Sequence, residues 1–451
     1  MLEFLLVLIY STSLITILFL LFILIKRSEF GILVFFNEIM FLVIGICIYP
    51  IFIYFDLVIT NETSQYFLNI NNTPSLAVAL HILLYCLSAF LGYTASLKNK
   101  SVGLNFFHTI ATYINPSKLF YRLILFGLVI YFIFFQLVGF DTALINASAA
   151  RSGFLDGFGE NQKYLFLKTL AKISLYSVIF LPWILLKKKT KTDYIFIVLY
   201  IILLLFTYFN NFGRGMWLEQ LIIPFFIIAR YKLSPKNFIK LIPLIFLAYI
   251  ILIYGKTFGH SVSAYFQGET IYKVSTYQAD HGFFSTIFNN VSFAWYSIQA
   301  GITNFFTNGP YIPKDIVYSI WGFIPVKVLE SIGLKDLYYG YVDSGLACVN
   351  TRYFSMSDCT IPPLLPGYSA YFFPFIGAIF FGFIKFYLIG ILEKMWLHAK
   401  KTNYFLICIP YFFYEALSSI LNLIPTHTSL IFFTLFLFFT YIGIIKLLRN
   451  I

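Results

Sequence analysis

Three arginines stand in settings that suit a phosphate. Arg151 lies in GFDTALINASAARSGFLDGFGENQKY, close to Gly153, Gly157 and Gly159. Arg214 stands between Gly213 and Gly215 in YFNNFGRGMWLEQ, and Arg352 falls between Cys348 and Cys359. A guanidinium offers its N–H donors in a rigid fork that matches phosphate oxygens, and neighbouring glycines allow close backbone approach. Glu219, His260 and His281 are the candidate bases: a histidine can accept a proton from an attacking hydroxyl near neutrality. Asp280 adjoins His281 in sequence, which does not by itself make them a pair. Cys348 and Cys359, with ten residues between them, can close a small disulfide ring around Arg352 on an oxidising face. Cys47, Cys86 and Cys408 fall in apolar stretches, and no Cys and His grouping has zinc spacing, so neither a metal nor a cofactor is expected.

The elements that must position these groups are membrane helices. The 451 residues are 60% hydrophobic and 11% charged, with 56 Phe and 34 Tyr, far from the roughly 25% charged residues of a soluble domain. Long uncharged apolar runs satisfy their backbone groups in hydrocarbon only as helices. The fold class is therefore an all-α polytopic membrane protein, with eleven spans expected at 2–25, 31–55, 75–97, 119–138, 165–186, 194–209, 215–229, 239–255, 367–388, 404–421 and 429–447. Alternate connections hold 18 Lys and Arg on one side and eight on the other. Basic residues stay in the cytoplasm, so the N-terminus is expected outside, the C-terminus inside and the long 257–365 loop on the outer face. The first span begins with only Glu3 ahead of it and runs into Lys26 and Arg27, which reads as an anchor rather than a cleaved signal. The chain divides into a scaffold at 1–256, the loop at 257–365 and C-terminal spans at 366–451, forming one integral domain.

Within the loop, five basic and seven acidic residues exclude a nucleic-acid surface. Two amphipathic stretches, 283–306 and 315–334, are expected to lie along the interface and roof a cavity, with a re-entrant or spanning course open for the first, which has no charge. Pro362, Pro363 and Pro366 read as an extended landing before the ninth span. Arg214 either snorkels or faces a polar cavity, and Glu219 can balance an arginine from another helix. Lys163, Lys168 and Lys172 form a basic edge expected near headgroups, Lys385 is expected to snorkel inward, and Glu415 and His427 either pack or support the site.

The glycine-flanked arginine of NNFGRGMWLE, with FIPVKVLESIG, VDSGLACVN and IPPLLPGYSAYFFPFIGAIFFGF, carries a resemblance. The chain resembles the O-antigen polymerase class of oligosaccharide repeat-unit polymerases, and hydropathy and loop position extend that similarity over nearly its whole length. The resemblance implies a fold similar to the multispanning lipid-carrier glycosyltransferases (GT-C-like) in a bacterial inner membrane. It implies transfer of a growing glycan from an undecaprenyl pyrophosphate donor to the outer sugar hydroxyl of an undecaprenyl-pyrophosphate-linked repeat unit. Arg151, Arg214 and Arg352 correspond to the family's external arginines. The implied partners are these lipid-linked oligosaccharides, membrane lipids and a chain-length regulator protein. Fixed arginines would stabilise the departing pyrophosphate without a metal. A lipid-linked polysaccharide ligase and a polysaccharide-lipid flippase are the competing readings.

Overall fold

The structure, a computed structural model, describes residues 2–27, 34, 38–54, 75–98, 115–147, 156–186, 188–211, 220, 224, 265, 291–311, 326–334, 346–353 and 364–402. Among these every regular element is helical. In chain order they are α1 (Leu2–Arg27), a wide-wound π segment (Ile39–Ile48) continuing into α2 (Tyr49–Tyr54), α3 (Leu76–Lys98), α4 (Pro116–Val138) and α5 (Phe140–Ile145). There follow a 3-10 segment (Asp156–Tyr164), α6 (Leu165–Ala171), a second 3-10 segment (Lys172–Ile179), α7 (Leu181–Leu186) and α8 (Lys191–Asn211). The remainder are α9 (Phe293–Asn308), α10 (Val326–Ser331), α11 (Leu346–Tyr353), α12 (Leu364–Phe372) and α13 (Ile376–Thr402).

Five of the described helices are long and apolar enough to cross a membrane: Phe4–Arg27, Leu76–Lys98, Pro116–Val138, Lys191–Asn210 and Ile376–Leu397. The chain is thus a helical membrane protein. The seventh, eighth, tenth and eleventh expected spans, with Glu415 and His427, lie outside the described residues, Gln220 and Pro224 excepted. The chain forms two compact units, Met1–Leu104 with His281–Lys401 and Phe413–Ser429, and Asn105–Asp280 with Thr402–Phe412 and Leu430–Ile451. Each draws on residues from more than one of the three sequence sections.

In the first unit α1, α3 and α13 run in the same direction. Arg27 Nε lies 3.5 Å from Glu393 Oε1, Tyr93 donates to Glu393 Oε2 at 2.5 Å, and Lys394 Nζ donates to the Ser96 carbonyl. These contacts gather the basic C-terminal turns of α1 and α3 beside α13 at one end of the unit, the basic end. Ser88, Gly92 and Ser96 on α3 face Ala378, Gly382 and Gly390 on α13, a small-residue pattern that lets helix backbones touch. A Cβ at Gly92 would collide with the Phe383 carbonyl, which is backbone and cannot move aside cheaply.

The expected ninth span, 367–388, straddles a break. α12 ends at Phe372, the chain turns through Phe373, Pro374 and Phe375, and α13 starts at Ile376. Pro374 has no N–H to continue the helical ladder, and Phe375 takes φ 68°, as Leu364 takes φ 56° at the other end of α12. Each such non-glycine residue stores roughly 1–3 kcal/mol of strain. Tyr368 and Phe372 pack on Phe381, so α12 folds back along the first turns of α13.

Of the first loop segment, 291–306 is described, most of it in α9. α9 is buried along most of its length and packs chiefly on α12, with further contacts to the π segment, α3 and α11. Trp295 Nε1 donates to Tyr10 Oη at 3.1 Å and Tyr49 and Tyr296 share a hydroxyl hydrogen bond at 2.9 Å. Gly45 admits the Val291 backbone, which any Cβ there would strike. At its other end the Phe305 ring packs at a tilt against Phe373, beside the start of α13. The helix therefore runs from the interior of the unit to the end opposite the basic one, the far end. Of the second loop segment, α10 and residues 332–334 are described.

In the second unit, sequence periodicity decides the packing. On α4, Phe120, Ile124, Gly127, Tyr131, Phe134 and Val138 are buried at alternating steps of four and three, while Leu125, Val129, Phe132 and Leu137 are exposed in a stripe suited to hydrocarbon. Asn115 caps this helix by accepting from Lys118 N at 3.1 Å, and Pro116 occupies its first turn. α8 starts with a reciprocal cap: Asp193 Oδ2 accepts from Thr190 N at 2.7 Å, and Asp193 N donates to Thr190 Oγ1 at 3.3 Å. Tyr121 donates to the other oxygen of buried Asp193, tying α4 to α8. The expected fifth span, 165–186, is three short segments, and the tight 3-10 winding of its middle brings Ser174 against Gly127. Lys168, expected near headgroups, is buried.

Candidate functional site

Of the predicted site residues the structure describes Arg352 and Cys348. Arg151, Arg214, Glu219, His260, His281 and Cys359 lie outside the described residues. What the structure adds is how the chain approaches several of these positions.

Arg352 is exposed on α11, an eight-residue helix too short to hold itself in water. Three tethers fix it. Cys348 is buried and disulfide-bonded. Asn350, fully buried, donates from Nδ2 to Ser297 Oγ at 2.9 Å and accepts from Tyr371 Oη at 3.0 Å, linking α11 to α9 and α12. Tyr353 donates to Asn304 Oδ1 at 3.2 Å, and Asn308 donates to that same oxygen at 2.9 Å. Burial raises the Tyr353 phenol above its ordinary value, which keeps it a donor. An arginine on a pinned helix loses less conformational freedom on meeting an anion than one on a free loop.

In the second unit the approaches to the other two arginines meet. Ala147, four positions before Arg151, packs with Tyr208, six positions before Arg214, and Phe209 lies against both. α4, α5 and α8 bring this about: α4 ends at Gly139, whose φ of 87° turns the chain into α5, and α5 carries Ala147 back onto the last turns of α8. This is the end of the unit opposite the Asp193 latch.

The structure also has buried polar groups of the first unit that sequence reasoning missed or misjudged. Lys385 does not snorkel; its Nζ lies 2.5 Å from Glu38 Oε1, with side-chain exposures of only 9% and 7%. Its ammonium also sits 5.7 Å from the Phe386 ring centre. His81, on the second turn of α3, bonds through Nε2 to Ser369 Oγ at 2.9 Å and the Pro366 carbonyl at 3.1 Å. The Phe375 N–H donates to its Nδ1 at 3.3 Å, so the imidazole reads as the neutral Nε2–H tautomer clasping both sides of the α12–α13 break. Charged and polar residues inside apolar stretches were the signal available in the sequence; nothing in the sequence marked Asn350. Among the described residues no group of three or more His, Cys, Asp or Glu is arranged to hold a metal.

Compared with protein-family models, curated proteins and solved structures, the chain has no match in any of the three.

Proposed function

We propose that the chain is an eleven-span, GT-C-like glycosyltransferase of a bacterial inner membrane that polymerises undecaprenyl-pyrophosphate-linked oligosaccharide repeat units. In this reading the N-terminus and the 257–365 loop are periplasmic and the C-terminus cytoplasmic. The parallel course of α1, α3 and α13, expected spans one, three and nine, supports that alternation. The observation that carries the reading is the packing of Ala147 on Tyr208, which supports a common anion site for Arg151 and Arg214. The outer sugar hydroxyl of the incoming unit attacks the anomeric carbon of the growing glycan, and the bond from that carbon to the pyrophosphate oxygen breaks. The proton passes to a base among His281, His260 and Glu219, and the lipid pyrophosphate departs with its charge held by arginines. Polyprenyl tails occupy grooves between helices, and a chain-length regulator acts alongside.

Arg214→Ala tests this in cells that make the polysaccharide. Long glycans disappear while membrane abundance is unchanged; an unchanged length ladder rejects the role of Arg214.

A second reading, a flippase for lipid-linked glycans, is favoured by the buried Glu38–Lys385 pair and the half-length helix α12 with its break before α13, features that line transport paths. Proteoliposomes that move a fluorescent lipid-linked sugar between leaflets, with no change in its length, would select that reading over polymerisation.

A further inference from the structure

The far end of α9 has an arrangement that the account above leaves unused. Phe306 is 68% exposed and Phe373 41% exposed, and Phe305 joins them, with ring centres 5.5 Å from Phe306 and 5.7 Å from Phe373. Beside these faces stand exposed Thr303, Thr307 and Asn308. Asn304 is buried and orients its neighbours: its Oδ1 accepts from both Asn308 Nδ2 and Tyr353 Oη, and its carbonyl accepts from Thr307 Oγ1 at 3.2 Å. Gly309, at φ 81°, closes the helix through its N–H to the Phe305 carbonyl, and the last turn of any helix leaves further carbonyls without intrahelical donors. Arg352 follows on α11, one residue before Tyr353.

Exposed aromatic faces alone would suit a lipid or a protein partner equally. Here the faces adjoin an amide, hydroxyls and backbone carbonyls fixed by a buried asparagine. A pyranose ring needs that combination: its axial C–H face lies on an aromatic ring while its equatorial hydroxyls both donate and accept in the ring plane. The Asn308 amide and Thr307 hydroxyl each donate within the helix, Asn308 to Asn304 Oδ1 and Thr307 to the Thr303 and Asn304 carbonyls, and an acyl chain would strand the second amide N–H and the oxygen lone pairs that remain, which is costly.

We propose that the far end of α9, together with Tyr353 of α11, binds a single sugar ring of a glycan, with Phe306 as the stacking face and Asn308 and Thr307 as hydrogen-bonding groups. The polymerase reading supplies only the source of that sugar, a residue of the lipid-linked repeat unit lying next to the pyrophosphate at Arg352. The subsite would serve a flippase or a ligase equally.

The test uses the full-length protein in lipid nanodiscs and, as probe, the repeat-unit oligosaccharides released by mild acid from the lipid carrier of the producing cells. Binding is followed by saturation-transfer NMR and titration. Wild type binds, and Phe306→Ala and Asn308→Ala each weaken binding about tenfold, the scale of one lost stacking or hydrogen-bonding contact. Phe306→Trp, which keeps a stacking face, stays near wild type. Phe19→Ala, on the basic-end half of α1, is neutral. No binding by wild type, or equal binding by Phe306→Ala and Asn308→Ala, overturns the proposal. Elongation measured on the same samples separates the two ideas: variant-sensitive binding without elongation keeps the sugar subsite and removes the polymerase. Elongation with binding indifferent to both variants does the reverse.

Discussion

In the second unit α4 and α8 are continuous, bury one stripe of each helix and expose the other, and keep their one buried carboxylate, Asp193, at a helix start where the Thr190 N–H and the Thr190 and Tyr121 hydroxyls donate to it. In the first unit the shorter helices α9 and α12 are wedged among α3, the π segment and α13, with Glu38, His81, Asn350 and Glu393 buried in the unit. A continuous helix satisfies its own backbone, so its packing needs only an apolar face. A broken one frees N–H and C=O groups at each end that must find side chains. His81 meets that need at the α12–α13 turn, and Asn350 ties the loop helix α11 to α9 and α12. The buried His81 and Asn350 of the first unit thus answer the breaks around α12, whereas the buried charged groups described in the second unit are Asp193 at its helix cap and Lys168 in the broken 165–186 stretch.

The contrast can be broken at defined places. Lys385→Ala strands Glu38 in the first-unit core and should be the most damaging change, about 3–5 kcal/mol for a buried pair losing one partner. Loss of thermal stability in detergent reads it, and the double change Lys385→Met with Glu38→Gln should recover most of the loss; no recovery would mean the pair does more than cancel its own charge. Gly92→Ala comes next, at roughly 1–3 kcal/mol, because its Cβ meets the backbone of Phe383. Gly127→Ala in the second unit should follow closely, because Ser174 Oγ and Leu203 Cδ1 can turn aside whereas Ser174 Cβ, 2.5 Å from the added methyl, moves only with its backbone. Melting curves in which Gly127→Ala is neutral would contradict the packing described. The smallest effect is expected from Thr190→Ala, about 1 kcal/mol for a lost helix cap, with α8 still formed by circular dichroism.

Within the second unit α4 was the legible part, while the 165–186 stretch, expected as one span, hid both its division into three segments and the burial of Lys168. α4 repeats buried and exposed positions at helical spacing, and Pro116 and Gly139 mark its ends. The first unit hid its breaks. Residues 364–388 are apolar on both sides of Pro374, so hydropathy joined α12 to α13 into one span, and the partner that stabilises the break, His81, is almost three hundred residues away. Uncharged 283–306 left its depth open, and only the tertiary contacts of Trp295 and Tyr296 place α9 inside. Lys385 looked free to snorkel because its partner, Glu38, lies on another segment. Of the site, the sequence marked Arg352 and Cys348, and the structure supplied the tethers through Asn350 and Tyr353 that make the arginine's helix rigid.

The central claim is that this membrane protein joins lipid-linked repeat units. Purified protein reconstituted with undecaprenyl-pyrophosphate-linked repeat units, its products resolved by length over time, tests it most directly. The account predicts a ladder that grows one repeat at a time, with the released undecaprenyl pyrophosphate equal to the number of linkages made. Substrate that stays one repeat long, under conditions where a known polymerase elongates it, would contradict the account.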